Sequence, residues 1–198
     1  MFITFEGLDG SGKSTQARLL AEALAQHRRD VVSTREPGGT QLGERVRELL
    51  LDGPDVAPWA EAALFAAARA QLVEEVIAPA LARGAHVVCD RYLDSSLAYQ
   101  GIARGLGIQR VLELNLSAIR GILPDRTYLL LIDPAEAARR LPDEGDRIER
   151  EDEEFRLRVA DAYQELAEAF PERIVTIDGK RPAEEIAREV HDELRQLS

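Results

Sequence analysis

Residues Gly7-Leu8-Asp9-Gly10-Ser11-Gly12-Lys13-Ser14 follow directly on an apolar run, Phe2 to Phe5, and carry the spacing Gly-x4-Gly-Lys-Ser. The run predicts a buried strand. The glycines let the backbone curl so that successive N–H groups point inward, and the segment from Ser14 onward reads as a helix whose positive end faces the curl. A loop of this kind cradles phosphates, so the chain is expected to handle a nucleoside triphosphate. Lys13 is expected to reach the outer phosphates and the Ser14 hydroxyl to ligate Mg2+. Of the 25 basic residues only Lys13 and Lys180 are lysines. A chain that otherwise uses arginine thus keeps a compact ammonium at the cradle, where the two are not interchangeable.

A length of 198 residues with 45% apolar content suits a single domain spanning 1–198, large enough for one core. No segment approaches the roughly 18 consecutive apolar residues of a membrane span, and the first strand begins at Phe2 with no basic leader before it. These features lead to an expectation of a soluble, cytoplasmic protein that does not engage a membrane. The formal net charge of -11 argues against a broad nucleic-acid surface, which needs clustered Lys and Arg. Anionic ligands must instead meet a few arginines converging on one cleft, where short-range attraction outweighs the global field. Cys89, the lone cysteine, lies in the apolar run Val87-Val88-Cys89 and reads as a buried structural thiol.

Four further apolar segments read as strands: Val31 to Thr34, Ala85 to Cys89, Thr127 to Ile132 and Ile174 to Ile177. Helical patterns alternate with them over Gln16 to Gln26, Ala60 to Arg83, Leu112 to Arg120, Phe155 to Ala169 and Pro182 to Leu197. Alternation of this sort predicts an α/β three-layer sandwich with a five-stranded, mostly parallel sheet and a ligand crevice at the carboxyl ends of the strands. The segments that follow the strands are the glycine loop, Arg35-Glu36-Pro37-Gly38-Gly39, Asp90-Arg91 and Asp133-Pro134. Pro142 to Asp152, crowded with acids and arginines and broken by Gly145, reads as an exposed flap between helices.

Asp90 ends a strand beside the cradle, where a carboxylate serves a magnesium site; a helix cap is the alternative. Arg91 is placed either to grip a phosphate with its planar fork or to form a surface ion pair. Phe65 and Arg69 are four apart, as are Ser96 and Gln100, so each pair shares a helix face. Such faces suit a sandwiched base, with Arg donating to a ring carbonyl; taken alone, Phe65 also reads as core and Arg69 as solvated. His27, His86 and His191 are scattered without ligand spacing. Trp59 reads as a helix-start packing residue, and Glu149 to Glu154 as a solvated helix beginning.

The segments FEGLDGSGKST at the start, TREPGGT at 34–40, LFAAARAQLV at 64–73 and CDRYLDSSLAYQG at 89–101 together resemble bacterial thymidylate kinases, in that order and across nearly the whole chain. Adenylate, guanylate and shikimate kinases share the P-loop but not TREPGGT followed by DRY-x3-S-x3-Q. The resemblance implies a P-loop kinase core with a short LID, a homodimer, and Mg2+-dependent phosphoryl transfer from ATP to dTMP, giving dTDP and ADP. It also implies that Gly7, Leu8, Asp9, Gly10, Ser11, Gly12, Lys13, Ser14 and Thr15 hold ATP, with Ser14 and Asp90 at the metal. On the acceptor side it implies Asp9 at the deoxyribose 3'-hydroxyl, Arg91 and Arg47 on the phosphate, Glu36 shaping the site and Phe65 stacked on thymine. Arg69, Ser96 and Gln100 would meet the polar edge of the base, and Tyr99 the place where a ribose 2'-hydroxyl would project.

One subgroup of the family carries an arginine inside the P-loop, where this chain has Gly10 and Ser11. The resemblance therefore implies a catalytic arginine from the LID, residues 139–150, with Arg140 and Arg147 ranked above Arg139 and Arg150 and joining Lys13 and Arg91 in catalysis. A P-loop kinase with another acceptor is the nearest rival. A GTP-binding switch is a more distant one, since neither lysine outside or inside the loop sits in an Asn-Lys-x-Asp setting.

Overall fold

The computed structural model describes residues 1–141 and 145–197, so 142–144 of the expected flap lie outside the described residues. Strand β1 (Phe2–Gly7) is buried along its whole length, which requires cover on both faces. Alternation supplies the two surfaces: Ile3 and Phe5 join one apolar layer and Phe2 the other, with Thr4 and Glu6 on the Phe2 side by the strand period of two.

With β2 (Val31–Arg35), β3 (His86–Asp90), β4 (Arg126–Leu131) and β5 (Ile174–Asp178), it forms one sheet in the order β2-β3-β1-β4-β5. Every pairing is parallel, where the sequence had suggested mostly parallel. The register aligns Phe5, Asp90 and Arg35 across three neighbouring strands. The loops that follow these strands therefore leave the same edge of the sheet.

Helices α1 (Lys13–Gln26) and α9 (Ala183–Leu197) cover one face, setting Ala17, Leu20, Ile186 and Val190 on Ile3, Phe5 and Val88. The other face carries α3 (Pro58–Leu72), α5 (Leu93–Ser96), α6 (Ile108–Ile119) and α8 (Glu153–Ala169), through Leu72, Leu93, Val111 and Tyr163 among others. The chain thus leaves β1 onto one face and the adjacent β3 onto the other, the arrangement that opens a crevice at the strands' carboxyl ends.

The rod expected over 60–83 starts at Pro58 and passes through a π-helical turn, Val73–Ile77, into α4 (Ala78–Ala82). Pro79 has no N–H for the helical ladder and falls just after that wider turn. Likewise α5 continues into π-helical Leu97–Ala103. Ser96 and Gln100 are then less than a turn apart, yet both line one cleft.

Two helices escaped the sequence reading. Helix α2 (Gln41–Leu51) is capped by Thr40, whose hydroxyl accepts from the Gly43 N–H at 2.9 Å, and α7 (Pro134–Arg139) by Asp133. The Asp133 carboxylate therefore serves the helix start. Among the described residues no helix is long and apolar enough to cross a membrane.

An ion pair between buried Asp94 and largely buried Arg173 ties the helical layer to the sheet. Asp94 in α5 accepts from Arg173 at 2.6 and 2.7 Å and from Thr127 at 3.2 Å, and Thr127 meets Thr4 at 2.8 Å. Asp94→Ala strands the Arg173 charge, and urea unfolding is expected to show a loss of about 3–5 kcal/mol. A loss below about 1 kcal/mol, the range of an exposed pair, would contradict this linking role.

Candidate active site

At the end of β1, Gly7 has φ +134°, and a Cβ there would stand 2.4 Å from the Leu130 carbonyl oxygen of β4. Only glycine lets the chain turn so close to its neighbour. The loop closes at Gly12, left-handed at φ 98°, from which α1 starts. Lys13 is buried, its Nζ donating to the Leu8 carbonyl at 2.8 Å and lying 3.6 Å from Asp9. Burial, helped by the charge of Arg91, lowers the ammonium pKa.

Across the crevice the Ser14 hydroxyl donates to Asp90 Oδ2. Asp90 Oδ1 is buried with no hydrogen-bond partner among the described residues, and the residue at the cap of α5 is Tyr92, so Asp90 does not cap that helix. Arg91 sits at φ 68°, a left-handed conformation uncommon for a residue with a side chain and characteristic of sites where surrounding structure holds the strain. Its guanidinium is no surface group. It pairs with Asp9 and donates to Ser95 at 2.9 Å and to Tyr163 at 3.1 Å. The Tyr99 hydroxyl donates to the other Asp9 oxygen at 3.1 Å. Burial would raise the Asp9 carboxyl, but Arg91 and then Lys13 outweigh it and hold it well below the usual carboxylate range.

One cleft is lined by Asp9, Lys13, Ser14, Asp90 and Arg91 together with Glu36, Arg47, Phe65, Ser96, Tyr99 and Gln100. Phe65 is partly buried against the core as well as lining the cleft. Arg47 donates to the Pro37 carbonyl at 3.0 Å. Arg69, whose alternatives were a pocket contact or a solvated group, is neither exposed nor part of the lining: at 1% exposure it lies behind it. Its five N–H groups go to Glu36 twice, Ser96, Asn115 and the Tyr92 carbonyl. Arg69 thus fixes the wall that carries Glu36 and Ser96.

Of the flap arginines, Arg140 stands against the glycine loop, its Nη1 donating to Gly179 O at 3.3 Å and Gly10 O at 3.5 Å. Arg147 is held away from that loop, donating to Leu50 O at 2.8 Å and Glu61 at 2.6 Å. Arg139 pairs with Glu136 and Arg150 donates to Gly145 O.

Several site groups were invisible in the sequence. Glu6 is buried and accepts from the N–H groups of Tyr92 and Ser95, the Ser95 hydroxyl and Tyr163. It shapes the chain around Arg91; the only signal was its place two residues beyond Thr4 on one strand face. Glu61, also buried, receives Gln100 at 2.9 Å, Arg104 and Arg147, gathering three elements. Glu149 does not belong to a solvated face: with Asp146 and Ile148 it lines the cleft, and burial raises its carboxyl pKa. Cys89 is fully buried, which raises its thiol pKa.

Residues 5–190 match the family model described as thymidylate kinase. A thymidylate kinase of Exiguobacterium sp. is 50% identical over 97% of this chain and 92% of its own length. That of Caldanaerobacter subterraneus is 50% identical over 90% of this chain and 86% of its own. The crystal structure of thymidylate kinase from Ehrlichia chaffeensis superposes with a TM-score of 0.82 at 36% identity, covering 98% of both chains.

Burial pushes the Glu36 carboxyl up to about 7, partly offset by Arg69. The native chain then holds a proton that the unfolded chain releases near 4.5, so this group's contribution to stability is present below that pH and is lost as pH rises toward 7. Denaturant titrations are expected to show Glu36→Gln removing a fall on the order of 2–3 kcal/mol across that window. An unchanged pH slope in the variant would rule out a perturbed Glu36.

Proposed function

This chain belongs to the thymidylate kinase family, and from that premise we propose how its residues divide the work of the family's reaction. It phosphorylates dTMP to dTDP with ATP as donor. The observation that carries the assignment of roles is the continuity of one cleft from Lys13 and Ser14 to Phe65 and Gln100, with Asp9 and Arg91 joined at its middle.

Donor phosphates lie along the N–H groups of Gly7 to Thr15, with Leu8, Gly10, Ser11 and Gly12 shaping the curl. The acceptor is already an anion, so little base catalysis is needed; the task is to hold two polyanions in line and offset charge on the transferred group. Arg91 and Arg47 hold the dTMP phosphate. Asp9, its charge secured by Arg91, accepts from the 3'-hydroxyl, and Tyr99 beside it fills the space of a 2'-hydroxyl. Phe65 stacks on thymine, Ser96 and Gln100 meet its polar edge, and Arg69 works through the Glu36 and Ser96 that it holds. Lys13 follows the transferred group. Of the two flap arginines expected in catalysis, Arg140 is the better supported by its place against the loop; each pairs with a carboxylate, but the Arg140–Glu136 pair at 3.2 Å is partly exposed whereas the Arg147–Glu61 pair is buried.

The donor set fits Mg2+. Ser14 and Asp90 offer hard oxygen ligands, and the orphaned Asp90 Oδ1 is a buried acceptor in need of a cation. Magnesium commonly takes one or two protein oxygens and completes its shell with phosphates and water. When bound, it neutralises charge on the ATP phosphates.

The chain acts as one kinase domain over 1–198, with a LID near 139–150, in the cytoplasm. A homodimer is supported by an exposed apolar stripe on α3, Trp59, Ala60, Ala63 and Ala67.

Initial rates with Mg-ATP and a panel of dTMP, dCMP, AMP and shikimate test the acceptor site. We expect kcat/KM for dTMP to exceed each of the others by at least about 10²-fold, since a site built on hydrogen bonds to one base leaves its groups unpaired on another. Equal rates on dTMP and dCMP would remove the base-site roles of Ser96 and Gln100.

A further inference from the structure

All three histidines of the chain, spread over the sequence as His27, His86 and His191, meet around a single cavity with Arg29 and Arg195. The cavity lies at the amino ends of β1 and β3, beside Ile3 and His86, a strand's length of about 17–20 Å from the crevice at the carboxyl ends. It is therefore separate from the catalytic cleft, and none of its lining residues belongs to that cleft.

Its composition is opposite to that of the molecule. The chain has 36 acids against 25 bases, yet among the described residues no carboxylate lines this cavity. Among the described residues, neither the Arg29 nor the Arg195 guanidinium makes an ion pair, although the pairs elsewhere engage fifteen other arginines. The acids nearest in sequence are turned to other partners, Asp30 to Arg83 and Glu193 to Arg126. His86 Nδ1 is buried without a hydrogen-bond partner. Burial and neighbouring positive charge, Arg29 included, hold that imidazole below its ordinary pKa. Positive charge has thus gathered at the mouth of this cavity with no ion-paired carboxylate among the described residues, a local field that an anion would meet.

The rest of the lining defines the body of that ligand. Ile3 and Leu24 are apolar, and the His27 and His191 rings lie stacked, centroids 5.7 Å apart at 17°. We propose that this cavity is a second binding site, for an aromatic anion: a flat ring on the apolar floor and the stacked imidazoles, and an oxyanion group between Arg29, Arg195 and His86.

The confinement of every histidine to this one place gives a local readout. With the catalytic cleft saturated by dTMP and a non-hydrolysable ATP analogue, the histidine-labelled chain is titrated with 8-anilinonaphthalene-1-sulfonate while the imidazole carbon–proton resonances are followed. A parallel titration uses the uncharged N-phenyl-1-naphthylamine. We expect saturable shifts of the imidazoles with the sulfonate, affinity lower by about fivefold or more in the Arg29→Glu/Arg195→Glu double variant, and weaker binding of the neutral ring. Phosphorylation of dTMP by that variant stays unchanged, which shows it folded. Non-saturating shifts, a smaller change in the variant, or equal affinity for the neutral probe would overturn the proposal.

Discussion

The pairing of Asp9 with Arg91 is the interaction on which the site depends. One partner lies in the loop after β1 and the other in the first turn after β3, so a single ion pair joins the donor side of the crevice to the acceptor side. It forms because the parallel register brings Phe5 level with Asp90, and it holds because each partner has further contacts. Tyr99 donates to Asp9, and Ser95 and Tyr163 accept from Arg91. Glu6 stands behind them, accepting from both Ser95 and Tyr163. The left-handed backbone of Arg91 is sustained by this network, since removing any strut leaves a largely buried charge to be solvated again.

An acidic chain can bind two polyanions because its charges are sorted by place. Arg47, which donates to the Pro37 carbonyl, keeps its field for a ligand, whereas Arg91 shares its charge with Asp9 and Arg69 with Glu36, so that these acids fix two arginines in place while hydroxyls, a carbonyl and an amide take their remaining donors. Asp146 and Glu149 on the cleft wall limit how much positive potential the acceptor side presents, and the Glu149 carboxyl pKa is raised by burial first and by the charges of Asp146 and Asp9 after it.

The architecture was legible because its signals are local. An apolar strand followed by glycines and a lysine, and apolar periods that alternate between two and 3.6, depend on neighbours in sequence. Spacing alone marks Phe65 with Arg69 and Ser96 with Gln100 as helix faces suited to a base; Phe65, Ser96 and Gln100 share one cleft, while Arg69 lies behind its wall. What escaped was set by distant contacts. Whether Arg69 faces solvent or lies behind a wall depends on Glu36, Asn115 and Tyr92, none of which its helix discloses. Glu61 and Glu6 read as ordinary acids until packing gathers basic and hydroxyl groups around them. The short helices α2 and α7 have only a Thr or Asp cap to announce them, and the π-helical turns carry no period that a 3.6-residue template detects. The histidines looked scattered because their meeting is a property of the sheet's far edge.

A crystal structure of the chain with dTMP and a non-hydrolysable ATP analogue decides whether one cleft points two nucleotides at each other. With the site arranged as described, the dTMP phosphate lies on Arg91, its 3'-hydroxyl within hydrogen-bond distance of Asp9, thymine on the Phe65 ring and the ATP analogue's phosphates along the glycine loop. Thymidine monophosphate lodged elsewhere, with neither Asp9 nor Arg91 touching it and Phe65 bare, would contradict it.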